Sequence, residues 1–298
     1  MKEGKVHTGV LSVNEVAAKI QDYLLLIKVR LSSVVVISSL LGYIIVSGGT
    51  GHWLDVWKLF FGGFLVTGAA NALNQVFEKD YDILMTRTAN RPVAAGRMKP
   101  TEGIIFAGLS CLVGILILAS FNPITGLLGM LSLILYSFVY TPMKRISTVA
   151  VPIGAIPGAL PVMIGVTAYE GRITMLALVL FVIQFLWQFP HFWAIGFLGY
   201  EDYAKAGYKL VPITNGKLDR NLGLSSMFYS GLIIPVALFM YIRMDMSLLS
   251  TCIVLLLTFI YTYYGYRVQK EFTKAAALKL MFFSFLYLPL VLMAYWLV

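Results

Sequence analysis

The stretch Trp57–Asp82, WKLFFGGFLVTGAANALNQVFEKDYD, decides how the rest of the chain is read. From Trp57 to Phe77 it is apolar enough, and long enough, to cross a hydrocarbon layer of about 30 Å as a helix. It then turns acidic. Steps of three and four residues place Asn71, Asn74, Glu78 and Asp82 on one helical stripe, while Asp80 points the other way. A membrane span therefore ends with two amides and two carboxylates on one face.

Working outward, runs of the same apolar kind recur along the 298 residues, of which 59% are hydrophobic and only 12% charged. The mean hydropathy is +0.83. A soluble core of this size carries about twice that share of charge, so the bilayer is the solvent. The expected class is an all-α polytopic membrane protein. Nine spans are expected, at Leu31–Val46, Trp57–Phe77, Gly103–Ala119, Ile124–Tyr140, Ala150–Ala168, Ile173–Phe197, Leu222–Ile242, Leu248–Tyr266 and Leu278–Leu297. Residues 1–30 read as a cytoplasmic N-terminal segment with a candidate interfacial helix, and residues 31–298 as a single nine-helix domain. No removable signal peptide is expected at the start.

Lysine and arginine set the orientation, because they collect on the cytoplasmic side. With nine spans, 20 of the 23 basic residues fall on one side, leaving Lys58, Arg172 and Arg243 for the other. A missed helix would swap every later loop, so the asymmetry supports the helix count as well. The N-terminus is expected in the cytoplasm and the C-terminus outside. The net charge of +9 suits anionic lipid, and no nucleic acid partner is expected. Cys111 and Cys252 lie in apolar spans and read as packing residues.

Polar groups at membrane depth are costly, so three clusters carry the chemistry. The first is the stripe Asn74, Glu78, Asp82. Gathered carboxylates repel one another and lose hydration, which a cation relieves. Hard oxygen donors this few match magnesium, which keeps waters and takes phosphate oxygens, better than a calcium cage; another divalent metal remains open. The second lies in and after the sixth span: His191, Phe192 and Trp193, then Tyr200, Glu201, Asp202, Tyr203, Lys205 and Lys209. Carboxylates delivered by two helices to one membrane face can hold metal on either side of a shared diphosphate, which makes Asp202 and Glu201 candidate ligands. The third is basic, with Arg87, Arg91, Lys144 and Arg145 as candidate diphosphate contacts; Lys205 and Lys209 join them. Arg97 and Lys99 are accounted for by the charge bias alone. Snorkelling accounts for at least one of Lys28 and Arg30.

Tyr136 and Tyr140 stand one turn apart just before Lys144. Their rings can stabilise a developing carbocation in a dry cavity, although packing is the commoner use of a buried tyrosine. His191 is the one histidine inside a span. A neighbouring helix can satisfy it, or it can ligate iron or move a proton.

These residues carry a family resemblance. Asn74-x-x-x-Glu78-x-x-x-Asp82, followed by Met85, Arg87-Thr88 and Arg91-Pro92, resembles the first motif of the UbiA-type intramembrane prenyltransferases. Tyr140-Thr141-Pro142-Met143-Lys144-Arg145 with Gly154 and Gly158-Ala159-Leu160-Pro161 is similar to the haem O synthase branch of that family. So is Gln188-Phe189-Pro190-His191-Phe192-Trp193-Ala194-Ile195 with Glu201-Asp202-Tyr203, Ala206-Gly207 and Leu210-Val211-Pro212. The resemblance runs from about Lys28 to the end.

It implies nine helices around a central cavity, in which metal-bound farnesyl diphosphate ionises and a vinyl group of haem b captures the allylic carbon. Haem b is then a substrate, touched by His191 and Trp193, with Arg30 as a partner for its propionates; Asn74, Glu78, Asp82, Lys144, Tyr140 and Tyr136 become the catalytic set. The downstream haem A synthase becomes a candidate partner and a bacterial inner membrane the expected location. The sequence departs from the family pattern twice: Glu78 replaces the usual Asp, and Leu198 stands four before Asp202, where quinone-type members carry an acid. The competing expectations are prenylation of a quinone precursor by the same fold, and a transporter, which would place its charges nearer the midplane.

Overall fold

The computed structural model describes residues 13–214 and 216–297. Among them are nine helices long and apolar enough to cross a membrane, preceded by α1 (Val13–Leu26). The spans are α2 (Val29–Ser47), α3 (Trp53–Phe77), α4 (Pro100–Ala119), α5 (Pro123–Met143), α6 (Ala150–Glu170), α7 (Met175–Leu198), α8 (Leu222–Arg243), α9 (Leu248–Glu271) and α10 (Lys274–Trp296). The expected spans are all present, most of them extended by a turn or so into polar residues that hydropathy discounts. The part of the N-terminal expectation that rests on residues 1–12 lies outside the described residues.

Local chemistry sets the helix ends. The side chains of Asn122, Thr174, Ser247 and Thr273 each accept a hydrogen bond from a backbone N–H of the first turn that follows, satisfying donors that the helix itself cannot. Thr174 starts α7 two residues later than hydropathy suggested. Gly171 closes α6 at φ +70°, a left-handed conformation that costs glycine nothing.

Successive spans pack side by side, and the ring closes where α10 meets α2. Inside it α6 crosses α2, and α7 crosses α10. α6 is the most enclosed span, and it is held by close backbone approach: methyl groups on Gly165 and Gly42 would be driven into the carbonyl oxygens of Ser39 and Val162. Without a hydrophobic force between helices in lipid, such small-residue contacts and side-chain hydrogen bonds do the joining. Pro161 cannot donate to the carbonyl of Pro157, and Ser132 on α5 donates to it instead at 3.2 Å. Gln184 and Gln188 of α7 donate to the carbonyls of Gly158 and Ala155, both at 2.9 Å. The carbonyl freed by Pro161 is thus met from a neighbouring helix, and the two glutamines tie α7 to further carbonyls of α6.

Two features escaped sequence reading. Leu135–Tyr140 in α5 is a π-helix, and a two-stranded antiparallel hairpin pairs Ile213–Thr214 with Lys217–Leu218 between α7 and α8. The segments rich in Lys and Arg meet at one end of the ring. Lys19 pairs with Glu102 at 2.6 Å, Arg97 with Asp22 at 2.9 Å, Lys144 with Glu78 at 2.8 Å and Lys274 with Glu201 at 3.0 Å.

The α2–α6 crossing gives a test. Gly165→Ala is expected to lower stability by about 1–3 kcal/mol through overpacking, read as a reduced Tm in detergent. Gly108→Ala, whose added methyl meets nothing within 4 Å, should leave Tm unchanged; equal Tm values for the two would refute the close crossing.

Candidate functional site

The acidic stripe survives folding with its carboxylates buried. Asn74 is 1% exposed, Glu78 4% and Asp82 0%. α3 stops at Phe77, Glu78 sits at its end, and the single turn Lys79–Asp82 carries Asp82 onward. The Thr88 hydroxyl donates to the Asp82 carbonyl at 2.9 Å and fixes the following loop.

Both carboxylates are paired. Lys144 Nζ lies 2.8 Å from Glu78 Oε1. Arg91 Nη1 straddles Asp82, 2.8 Å from Oδ1 and 2.7 Å from Oδ2, and reaches to 3.9 Å from Glu78. Burial pushes the Glu78 carboxyl up, but Lys144, with Lys28 and Arg91, outweighs it and holds Glu78 below the ordinary range. Burial likewise opposes the Lys144 ammonium, and Glu78 more than restores it. Asp82 is shifted upward by burial and by the charge of Glu78 despite Arg91. The two carboxyls are thereby driven apart in acidity, a pattern that separates roles within one site.

A third basic group is present, one of the pair Lys28 and Arg30 for which sequence reasoning gave snorkelling as the account of at least one. Lys28 points inward, its Nζ 3.4 Å from Asn74 Oδ1, from a backbone at φ +49° that a non-glycine residue rarely adopts. The amides of α3 hold that turn in place: Gln75 donates to the carbonyls of Leu25 and Leu26 at 3.0 and 2.9 Å, and Asn71 to Ser32 Oγ at 3.1 Å. Asn71 is therefore a fastener of the α1–α2 turn, separate from the donors Asn74, Glu78 and Asp82. Among the described residues Lys28 has no ion-pair partner. Burial, with Arg91 and Lys144 nearby, pulls it well below the usual lysine range, a shift that an incoming anion would oppose.

The π-helix in α5 is the other hidden element. One extra residue in the turn rotates everything after it by about 100° around the axis. Thr141 follows it, donating to the Tyr136 carbonyl at 2.9 Å and accepting from Asn74 Nδ2 at 3.1 Å. The rings of Tyr136 and Tyr140 lie 5.4 Å apart, and the Lys144 ammonium sits 4.6 Å from the Tyr140 centroid. That ring face already hosts a cation.

A cavity of about 480 Å³ opens beside these groups, lined by Glu78, Tyr81, Thr141, Arg145 and Tyr208 and walled by Phe77, Phe138 and Ile146. Tyr208, not singled out from sequence, is 6% exposed, and its hydroxyl has no hydrogen-bond partner among the described residues; burial and the nearby Glu78 raise its pKa. A smaller space of about 80 Å³ lies among Tyr140, Val151, Phe192, Ile195, Gly196, Tyr203 and Leu210.

The second cluster behaves differently from expectation. Asp202 does not join the buried pair; it ties its own helix to the loop after Asp82, accepting from Lys205 Nζ at 3.0 Å, Thr86 Oγ1 at 3.3 Å and Arg87 N at 3.4 Å. Its carboxyl is held below the ordinary range chiefly by Lys205. Glu201 turns outward to Lys274. Among the described residues no three His, Cys, Asp or Glu side chains converge, so a metal held by Asn74, Glu78 and Asp82 would take its other ligands from water and phosphate, the habit of magnesium. Arg87 lies over Tyr203 at 5.8 Å and Arg145 over Tyr81 at 4.0 Å, on the rim. Lys205 and Lys209 are exposed, although Lys209 N donates to the Lys144 carbonyl at 2.7 Å and closes the loop onto the site. Trp193 packs on Tyr229 and Phe189, with centroids 5.4 and 5.7 Å away, roughly opposite His191 around α7. Arg30 is exposed at the start of α2.

Comparison with known proteins adds an independent line. Residues 35–286 match the model of the UbiA prenyltransferase family. The chain is 41% identical over 280 residues to the protoheme IX farnesyltransferase of Cytophaga hutchinsonii, covering 94% of this chain and 98% of that one. It is 39% identical over 286 residues to that of Christiangramia forsetii, covering 95% and 94%. A solved digeranylgeranylglyceryl phosphate synthase superposes with TM-score 0.78 at 21% identity, covering 94% of this chain and 98% of that one. A UbiA homologue from Archaeoglobus fulgidus, bound to GPP and Mg2+, gives TM-score 0.64 at 15% identity, covering 92% and 99%.

The two lysines should separate under substitution. Lys28→Met is expected to weaken binding of inorganic diphosphate with magnesium about tenfold, about 1.4 kcal/mol, by calorimetry, with little change in Tm because no carboxylate loses a partner. Lys144→Met strands Glu78 and should cost about 3–5 kcal/mol of stability. Unchanged diphosphate affinity in Lys28→Met would remove Lys28 from the site.

Proposed function

The chain belongs to the UbiA prenyltransferase family, and from that footing we propose that it transfers the farnesyl group of farnesyl diphosphate to a vinyl group of haem b, giving haem O and diphosphate, a step of haem A biosynthesis. The observation that carries the reading is the buried cluster itself: Lys28, Arg91 and Lys144 facing Glu78 and Asp82 at the end of a membrane span, beside a cavity with apolar walls. An anionic head and an isoprenoid tail call for such a place. The protein is an integral multi-pass membrane protein; the basic loops favour a cytoplasmic site, and we take the bacterial inner membrane as its location.

Ionisation breaks the bond between the allylic carbon and the bridging oxygen, and the electron pair leaves with diphosphate. The charge that grows on the leaving group must meet donors already in position. Arg91 and Lys144 are within reach of the stripe, Lys28 approaches from the α1–α2 turn, and Arg87 and Arg145 flank the rim. A divalent metal bound by Asn74, Glu78 and Asp82 would supply further charge to the leaving group. As the phosphate oxygens arrive, Lys144 and Arg91 can exchange carboxylate partners for phosphate ones. The rings of Tyr140 and Tyr136 offer their faces to the allylic cation, and the apolar walls keep water away until the vinyl carbon attacks. Water then adds to the haem-side cation, loses a proton and completes the hydroxyethylfarnesyl group.

In this reading the haem would lie against α7 at His191, and Arg30, which has no ion-pair partner among the described residues, would meet a propionate. Trp193 is assigned to packing and Glu201 to the surface. The nearest competitor is a quinone precursor as acceptor in the same fold.

Membranes containing the protein, incubated with haem b, farnesyl diphosphate and magnesium, are expected to yield haem O by mass spectrometry, and chelation of divalent metal should stop it. Prenylation of a quinone precursor with no farnesylated haem would reject the acceptor. Asp82→Ala should lower turnover by about two orders of magnitude or more with normal membrane insertion; retained activity would reject the role of the stripe.

A further inference from the structure

His191 lies in α7, 8% exposed, one turn before Ile195 and next to Phe192, both of which line the smaller cavity against Tyr140. Its Nδ1 is 2.7 Å from the hydroxyl oxygen of Ser284 on α10. That hydroxyl has a single proton, and it is directed back to the Met281 carbonyl at 2.5 Å. With that proton given to Met281, the Ser284 oxygen is an acceptor for His191 and favours the tautomer protonated at Nδ1. The ring's other neighbours are Trp187, Phe192 and Phe285. Among the described residues no carboxylate pairs with it, and a doubly protonated ring would be an unpaired charge in apolar surroundings. The neutral ring consequently has a bare lone pair on Nε2, which has no partner among the described residues.

We propose that Ser284 fixes this tautomer so that His191 Nε2 takes the iron of the haem acceptor. The inference rests on the reading of haem b as substrate. A hydrogen bond from the far ring nitrogen orients a metal-binding histidine and raises its basicity, and here the orientation is set several times over. Trp187 stacks on the ring at 4.8 Å and 19°, while Phe285 meets it nearly edge-on at 5.0 Å and 75°. The Trp187 indole donates to the Ser284 carbonyl at 2.8 Å, and the Tyr261 hydroxyl to the Trp187 carbonyl at 2.9 Å. Three spans, α7, α9 and α10, thus hold one imidazole at one angle. Packing alone needs none of this: a phenyl ring would fill the space without leaving an acceptor unused. Phe285, 46% exposed, adds an apolar face beside the imidazole for a porphyrin plane arriving from the bilayer. Iron ligation anchors the macrocycle and limits which vinyl group can reach the allylic carbon.

The test titrates haem into the detergent-solubilised full chain and follows the Soret and visible bands. The wild-type protein is expected to show imidazole ligation. His191→Ala should abolish that signature. Ser284→Ala should weaken haem binding about fivefold and blur the signature, Ser284→Thr should restore both, and KM for farnesyl diphosphate should stay unchanged in the two serine variants. Retention of inorganic diphosphate binding and of Tm guards against misfolding. A wild-type ligation signature in His191→Ala, or identical haem affinity in Ser284→Ala, overturns the inference while haem O production stands. A wild-type protein that neither binds nor farnesylates haem overturns both the inference and the acceptor assignment.

Discussion

The ion pair between Glu78 and Lys144 is the contact on which the site depends. Two spans that are far apart in sequence, α3 and α5, end at the same level because a carboxylate and an ammonium are both buried there and neither tolerates the absence of the other. Asp82 and Arg91 repeat the arrangement one turn further on. Buried ion pairs add little net stability compared with apolar packing, so their presence at a helix end calls for another use. In the structure Lys144 and Arg91 offset the repulsion between the carboxylates. On the proposed function, an arriving anion and metal would give the same groups partners to move to.

The apolar scaffold serves that cluster by removing every cheaper arrangement. In hydrocarbon, backbone groups need internal partners: Ser132 supplies one to the Pro157 carbonyl that Pro161 leaves free, while Gln184 and Gln188 reach two further carbonyls of α6. Glycine contacts bring α6 against α2, and the start of α2 is the turn that aims Lys28. α5 in turn carries its π-helix beside Tyr136 and Tyr140. Geometry at the site is thus inherited from how the spans cross. The two acidic clusters have accordingly diverged in use: the first is buried and converging, whereas Asp202 secures the Tyr200–Lys205 helix to the loop at Thr86 and Arg87, closing the site from above.

The amino-acid sequence by itself determined the membrane environment, the number of spans and the stripe Asn74, Glu78, Asp82, because each follows from periodicity along one helix and from hydropathy, which needs no knowledge of neighbours. Arg91 and Lys144 were also legible, since their types and positions beside the stripe leave few other uses. Only the tertiary structure decided which residues share the site with them. Lys28 looks like any snorkelling lysine until the amides of Asn71 and Gln75 bend the chain before it inward. Tyr208 looks like an interfacial aromatic until its loop folds over Glu78. Glu201 and Asp202 are equivalent in sequence, yet one side chain faces Lys274 and the other the Arg87 turn. His191 meets a serine 93 residues away. Such assignments turn on crossing angles and on where a single proton goes, and those are properties of contacts between helices that no single helix contains.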